Sequence, residues 1–259
     1  MTSHEPLLIA DDLVKTYGSL TAVDHLTLSV RAGEVFGLLG PNGAGKTTTI
    51  NMCTGLLRPT SGRVRIAGID LTRDARAAKR FIGYVPDEPY LYERLTGREF
   101  VTFMGELYGV GAPLVARREE LLTYFGLQEA AEDLIGGYSH GMKQKIALCG
   151  MLVHQPRLLF LDEPTVGLDP RSARLLKDTL RALADDGRAV VLSTHILEIA
   201  QAICDRVAIL DHGRLLAEGT LEELRRSSRA GSAETLEDIF LRLTGAEEDQ
   251  ALARSLLAT

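Results

Sequence analysis

The octapeptide Gly40-Pro41-Asn42-Gly43-Ala44-Gly45-Lys46-Thr47 sets glycines, a lysine and a hydroxyl at a spacing that cradles phosphate. Glycine lets successive backbone N–H groups turn toward an anion with no Cβ in the way. Lys46 supplies a point charge for β- and γ-phosphates, and the Thr47 hydroxyl is a ligand suited to Mg²⁺. A helix starting near Lys46 adds its own positive end. The chemistry implied is binding of a nucleoside triphosphate with Mg²⁺. The bland alternative is a glycine-rich turn with no ligand, but this loop follows a continuously apolar strand and precedes a helical pattern, as a phosphate loop must.

Leu158-Leu159-Phe160-Leu161-Asp162-Glu163 is an apolar strand ending in two carboxylates. Open α/β sheets bind ligands at the carboxyl ends of their strands, so Asp162 is placed to hold Mg²⁺ through water. Glu163, one residue on, faces differently and is suited to polarise an attacking water. Paired carboxylates alone are usually solvated; downstream of a phosphate loop they indicate hydrolysis. Three further segments flank this strand: Tyr138-Ser139-His140-Gly141-Met142-Lys143-Gln144 before it, and Gly167-Leu168-Asp169 and Ser193-Thr194-His195 after it.

The elements that must position these groups are partly legible. Leu26-Thr27-Leu28-Ser29-Val30 and Val64-Arg65-Ile66 alternate apolar with polar, as half-buried antiparallel strands do. Val35-Phe36-Gly37-Leu38-Leu39 is apolar throughout, the mark of a strand covered on both faces. From about Leu91 to Val153 the pattern turns helical, with segments near 97–109, 113–125 and 141–153. Strands return at 158–161 and 189–192. Between them lies a helix that Asp169 caps and Pro170 opens, with Leu176, Leu180 and Leu183 along one face. A strand at 207–210, a hairpin around His212-Gly213 and short helices, one around 236–243, complete an α/β chain with a helical insertion and a small appendage.

With the loop at 40–47 and the carboxylates at 162–163, the Tyr138–Gln144 segment resembles the signature motif of ATP-binding cassette (ABC) ATPases, usually LSGGQ. Gly167-Leu168-Asp169 resembles their D-loop and Ser193-Thr194-His195 their switch histidine. The resemblance covers roughly residues 5 to 220, and five motifs in order make it specific. Asp87-Glu88-Pro89 with Leu95-Thr96-Gly97-Arg98-Glu99 narrows it to bacterial multidrug- or antibiotic-type exporter ATPases. It implies a P-loop NTPase (RecA-like) core over about 5–90 and 155–220. An N-terminal antiparallel β subdomain, a helical subdomain over about 91–154 and a helical appendage at 221–259 would complete the chain.

By the same resemblance, Tyr17, Gly40, Pro41, Asn42, Gly43, Ala44, Gly45, Lys46, Thr47 and Thr48 bind ATP, with Tyr17 stacking on adenine. On its own, a tyrosine at a strand end is more often packing, and only the register with the family reverses that reading. Ser139 and Gly141 would contact ATP held by another copy, so each site needs two domains paired head to tail. Glu163, His195 and Lys46 form the catalytic set, with His195 on the γ-phosphate, and Thr47, Asp87 and Asp162 form the metal set. Implied partners are a second ATP-binding subunit, as homo- or heterodimer, and a separate multi-span permease. The implied location is the cytoplasmic face of the cell membrane, and the implied activity is ATP hydrolysis that energises export. The alternative is a soluble ABC ATPase uncoupled from transport.

This sequence departs from the pattern at Asp87, where the family usually has glutamine, and at His140 and Met142, where it has glycine and glutamine. A carboxylate at position 87 binds Mg²⁺ more strongly than an amide but repels the γ-phosphate. Five of the fourteen Phe and Tyr residues, Tyr90, Tyr92, Phe100, Phe103 and Tyr108, fall within one short stretch. They read either as a partner-facing patch or as the core of the helical insertion.

The composition fits a globular protein: 45% hydrophobic and 25% charged over 259 residues. A net charge of −6 gives no basic footprint for nucleic acid. Cys53, Cys149 and Cys204 show no metal spacing and read as reduced thiols. Met1 to Pro6 carries no secretory-signal pattern. The most apolar stretch, 189–210, is interrupted by His195, Glu198, Asp205 and Arg206, short of the ~18 unbroken apolar residues that a membrane span needs. No N-K-x-D guanine motif supports a GTPase, and the length leaves no room for the second cassette or long coiled coil of soluble DNA- or ribosome-acting relatives.

Overall fold

The computed structural model describes residues 6–227 and 235–245. Of the expected division at 5–220 and 221–259, residues 5, 228–234 and 246–259 lie outside the described residues. The chain opens with β1 (Pro6–Tyr17), β2 (Leu20–Arg31), β3 (Val35–Leu39), α1 (Lys46–Cys53), β4 (Ser61–Ile66) and β5 (Ile69–Asp70). Next come α2 (Ala75–Lys79), β6 (Ile82–Val85), α3 (Gly97–Leu107), α4 (Leu114–Tyr124) and α5 (His140–Leu152). The remainder is β7 (Leu158–Asp162), α6 (Pro170–Asp185), β8 (Ala189–Thr194), α7 (Leu197–Ile203), β9 (Arg206–Asp211), β10 (Arg214–Gly219), α8 (Leu221–Ser227) and α9 (Leu236–Leu243).

Two sheets form. One is antiparallel, in the order β2-β1-β4-β5; the other has the order β10-β9-β3-β8-β7-β6 and is parallel from β9 through β6. Every residue of β3, β7 and β8 is buried, as continuous apolar runs require when a sheet is covered on both faces. Successive residues point to opposite faces. Phe36, Leu158, Phe160 and Val191 pack with Leu8, Leu26 and Ile50 toward the antiparallel sheet and α1. Leu159, Leu161, Val190 and Leu192 pack with Ile146, Leu176 and Leu180 toward the helices. The P-loop NTPase architecture is thus present, with the helical segment inserted between β6 and β7.

Local signals fix the helices close to their expected positions. Asp169 caps α6 by accepting from the Arg171 and Ser172 N–H groups, Pro170 takes the first position, and Leu176 and Leu180 are buried while Leu183 packs partly. Thr96 and Glu99 form a capping box on α3. Ser139 caps α5 by accepting from the Met142 N–H at 3.3 Å. The Tyr138 hydroxyl donates to Ala130 O at 2.6 Å, fixing the approach to that helix.

β1 spans twelve residues although its alternation is broken. Register shifts between Ala10 and Leu13, with Asp12 at a φ of 50°, absorb the irregularity. The clustered aromatics divide: Phe100 is a core residue, whereas Tyr90 is 91% exposed and Tyr92 and Phe103 pack edge to face at 5.3 Å on the surface. Among the described residues, no helix is long and apolar enough to cross a membrane.

Candidate active site

The phosphate-type loop joins the end of buried β3 to α1. Gly45 sits at the N-cap with a φ of 99°, and no side chain caps the helix, which leaves the first-turn N–H groups directed outward. A Cβ on Gly45 would lie 2.6 Å from Ala22 O, so the loop packs against β2 as closely as glycine allows. Gly43, at a φ of 83°, faces open space within 4 Å. Lys46 is buried, and its ammonium donates to Gly40 O at 2.7 Å and Pro41 O at 3.2 Å. Burial pushes its pKa down, and the carboxylates of Glu163 and Asp162 oppose that shift.

β7 and β8 bring the carboxylates to the same edge. Asp162 is buried and accepts from the Ser193 hydroxyl, its partner in the parallel register. Glu163 adopts a φ of 46°, a conformation that in a non-glycine residue costs about 1–3 kcal/mol and tends to cluster at functional sites. Its N–H donates to Ser193 Oγ at 3.1 Å and lies 3.2 Å from Ser193 O. Its carboxylate lies 3.8 Å from Lys46 Nζ and 3.0 Å from His195 Nδ1. Ser193 therefore holds the Asp162 carboxylate and the Glu163 backbone together. Sequence reasoning assigned it no role, because its position opposite Asp162 exists only once the strands pair.

A cavity of about 220 Å³ is lined by Asn42, Gly43, Ala44, Gly45, Lys46, Thr47 and Thr48 of the loop, with Ala22, Asp87, Asp162 and Glu163. A second, of about 510 Å³, shares Thr47, Asp87 and Asp162 and extends to Tyr17 and Tyr84. Tyr17 is half exposed, with Lys15 Nζ 5.0 Å from its ring centroid. Gly40 and Pro41 line neither cavity and instead hold the lysine through their carbonyls. Ser139 and Gly141 line neither cavity either. The Thr47 hydroxyl and Asp162 carboxylate are hard oxygen donors beside a phosphate-type loop, and that donor set fits Mg²⁺, which takes one or two carboxylates plus substrate phosphates. Asp87 is held above the usual carboxylate range, by burial first and then by Asp162, Glu163 and Glu88. Two larger clefts, of about 950 and 880 Å³, lie along Pro89–Leu95 and between α4 and α6, and neither gathers a lysine, carboxylates and free backbone N–H groups.

The profile of the ABC transporter family matches residues 23–166. The linearmycin resistance ATP-binding protein LnrL of Bacillus subtilis is 41% identical over 92% of this chain and 75% of its own length. The daunorubicin/doxorubicin resistance ATP-binding protein DrrA of Streptomyces peucetius is 46% identical over 83% of this chain and 66% of its own. A solved ATP-binding subunit of an ABC transporter superposes with a TM-score of 0.87 at 34% identity, covering 92% of this chain and 99% of that one.

Proposed function

This chain belongs to the ABC transporter family and is an ATPase subunit of it, and we propose that it drives export across a membrane by pairing head to tail around ATP. The membrane-spanning part is a separate permease, and the chain works at the cytoplasmic face of that membrane. The observation that carries this reading is the convergence of Lys46, Asp162, Glu163 and His195 on one sheet edge beside the glycine loop. The resistance named for the two relatives supports export.

Each residue then has a definite task. The N–H groups of Gly43 to Thr48 and the Lys46 ammonium hold the β- and γ-phosphates. Thr47 and Asp162, with Asp87 beside them, would hold Mg²⁺, which when bound offsets phosphate charge. Glu163 polarises the attacking water, and His195, held 3.0 Å from it, engages the γ-phosphate. Tyr17 packs on the base. Ser139 and Gly141, outside the chain's own cavities, complete the site of a second copy. Hydrolysis then removes the γ-phosphate contacts that keep the pair closed.

Glu163→Gln tests the assignment. It should lower ATP turnover at least about a hundredfold while leaving ATP affinity within about threefold. Undiminished turnover would remove Glu163 from the chemistry.

A further inference from the structure

We propose that His140 is a positioning residue that ties the start of α5 to the turn carrying Glu163. The idea rests on the reading of Glu163 as the hydrolytic carboxylate. An imidazole stands here where the resembling signature has glycine, and α5 begins at this residue. Its Nε2 lies 3.3 Å from Val166 O. A carbonyl oxygen only accepts, so Nε2 carries the proton and donates. The ring also fills the space beside Gly167. That residue has a φ of 73°, and a Cβ on it would stand 2.8 Å from both Cδ2 and Nε2 of the imidazole. At the next residue, a Cβ on Gly141 would be 3.9 Å from the Leu168 side chain, so helix and loop stay close past the ring.

From Val166 the connection runs back to the site. The Val166 N–H donates to Glu163 O at 3.2 Å, and the Leu168 N–H donates to Thr165 O at 3.3 Å. A left-handed glutamate persists only where its surroundings over-determine it. Ser193 grips the residue from β8 through its N–H, and His140 grips the following turn from α5. Among the described residues, these two are the side chains of other elements that hydrogen-bond the backbone of residues 163–168. The bond to Val166 is solvent-exposed, so its effect is modest: it biases the turn and does not hold the fold together. Its consequence is directional. A displacement of the helical segment that carries α5 reaches Glu163 through two hydrogen bonds.

Hydrogen exchange on the purified full chain, read by mass spectrometry, tests this directly. In His140→Gly, residues 163–169 should exchange about threefold to tenfold faster than in the parent, while β3 and β7 keep their protection and so report an intact fold. His140→Gln, with an amide N–H at similar reach, should restore protection to within about twofold. In ATPase assays His140→Gly should lower kcat by about threefold to tenfold, with KM for ATP changed less than about twofold. Unchanged exchange at 163–169 in His140→Gly overturns the proposal. A defect confined to KM does so as well, because it would put the imidazole on the nucleotide of a second copy. If Glu163→Gln keeps full turnover, the reading of Glu163 fails while the exchange result stands, so the two failures are distinguishable.

Discussion

Adding one methyl group at Gly45 tests whether the loop is held by backbone packing. Gly45 has a φ of 99°, and its Cβ would sit 2.6 Å from the carbonyl oxygen of Ala22 and 3.4 Å from the Gly213 Cα. Neither neighbour yields easily. Gly213 N–H donates to Ala44 O at 3.1 Å, and Asp24 N–H donates to Gly213 O at 2.8 Å. Placing an L-residue in left-handed backbone costs about 1–2 kcal/mol. Overpacking against fixed backbone adds about 1–3 kcal/mol. Gly45→Ala should therefore lose about 2–5 kcal/mol of unfolding free energy, measured by urea denaturation without nucleotide. Gly43→Ala is the control: its φ is 83°, but its Cβ meets nothing within 4 Å, so the loss should be only the backbone part, about 1–2 kcal/mol. Relieving the Gly45 overlap to an ordinary 3.4 Å contact moves the backbone by about 0.8 Å. Misplacement on that scale should weaken binding of a fluorescent ATP analogue at least about tenfold. Equal losses for the two variants would refute the packing argument.

The remaining predictions concern charge and surface. Burial and three neighbouring carboxylates raise the Asp87 pKa, so the folded chain holds that proton more tightly than the unfolded chain does. Stability therefore falls as pH rises through the window above the unfolded value of 3.8. Asp87→Gln should gain stability over the parent at pH 7.5, with the gain shrinking toward pH 4, and should shift the Mg²⁺ dependence of turnover without abolishing it; identical denaturation and Mg²⁺ curves would count against this. Tyr90→Ala with Tyr92→Ala removes two exposed rings from the Pro89–Leu95 cleft. Basal ATPase activity should hold within about twofold while co-purification with the proposed permease weakens, and unaltered assembly would argue against a docking role.

What the sequence disclosed depended on how local the determinant was. β3, β7 and β8 are continuous apolar runs, and α6 announces itself through Asp169 and Pro170, because caps and covered strands are set by neighbours in the chain. β1 was hidden because register shifts around Asp12 break the two-residue period. Lys46, Thr47, Asp162 and Glu163 were legible from motif spacing, and the structure gathers them around one cavity. The supports were not. Ser193 meets Asp162 only through strand pairing, and the limit that Ala22 sets on Gly45 comes from a packing contact between β2 and the loop. The left-handed turn at Glu163 follows from no propensity of glutamate and exists because Ser193 and the following loop hold it.

The central claim is that the cavity beside Gly43–Thr48 is half of a catalytic site, with Ser139 and Gly141 of a second copy as the other half. The specific ATPase rate of the purified chain, measured across a wide range of protein concentration with sedimentation in parallel, tests it most directly. The account predicts ATP binding at every concentration but a rate per chain that climbs with concentration and levels off as ATP-dependent pairs form, with Ser139→Ala shifting that rise to higher concentration. A full rate per chain at concentrations where the protein sediments as a monomer would contradict it.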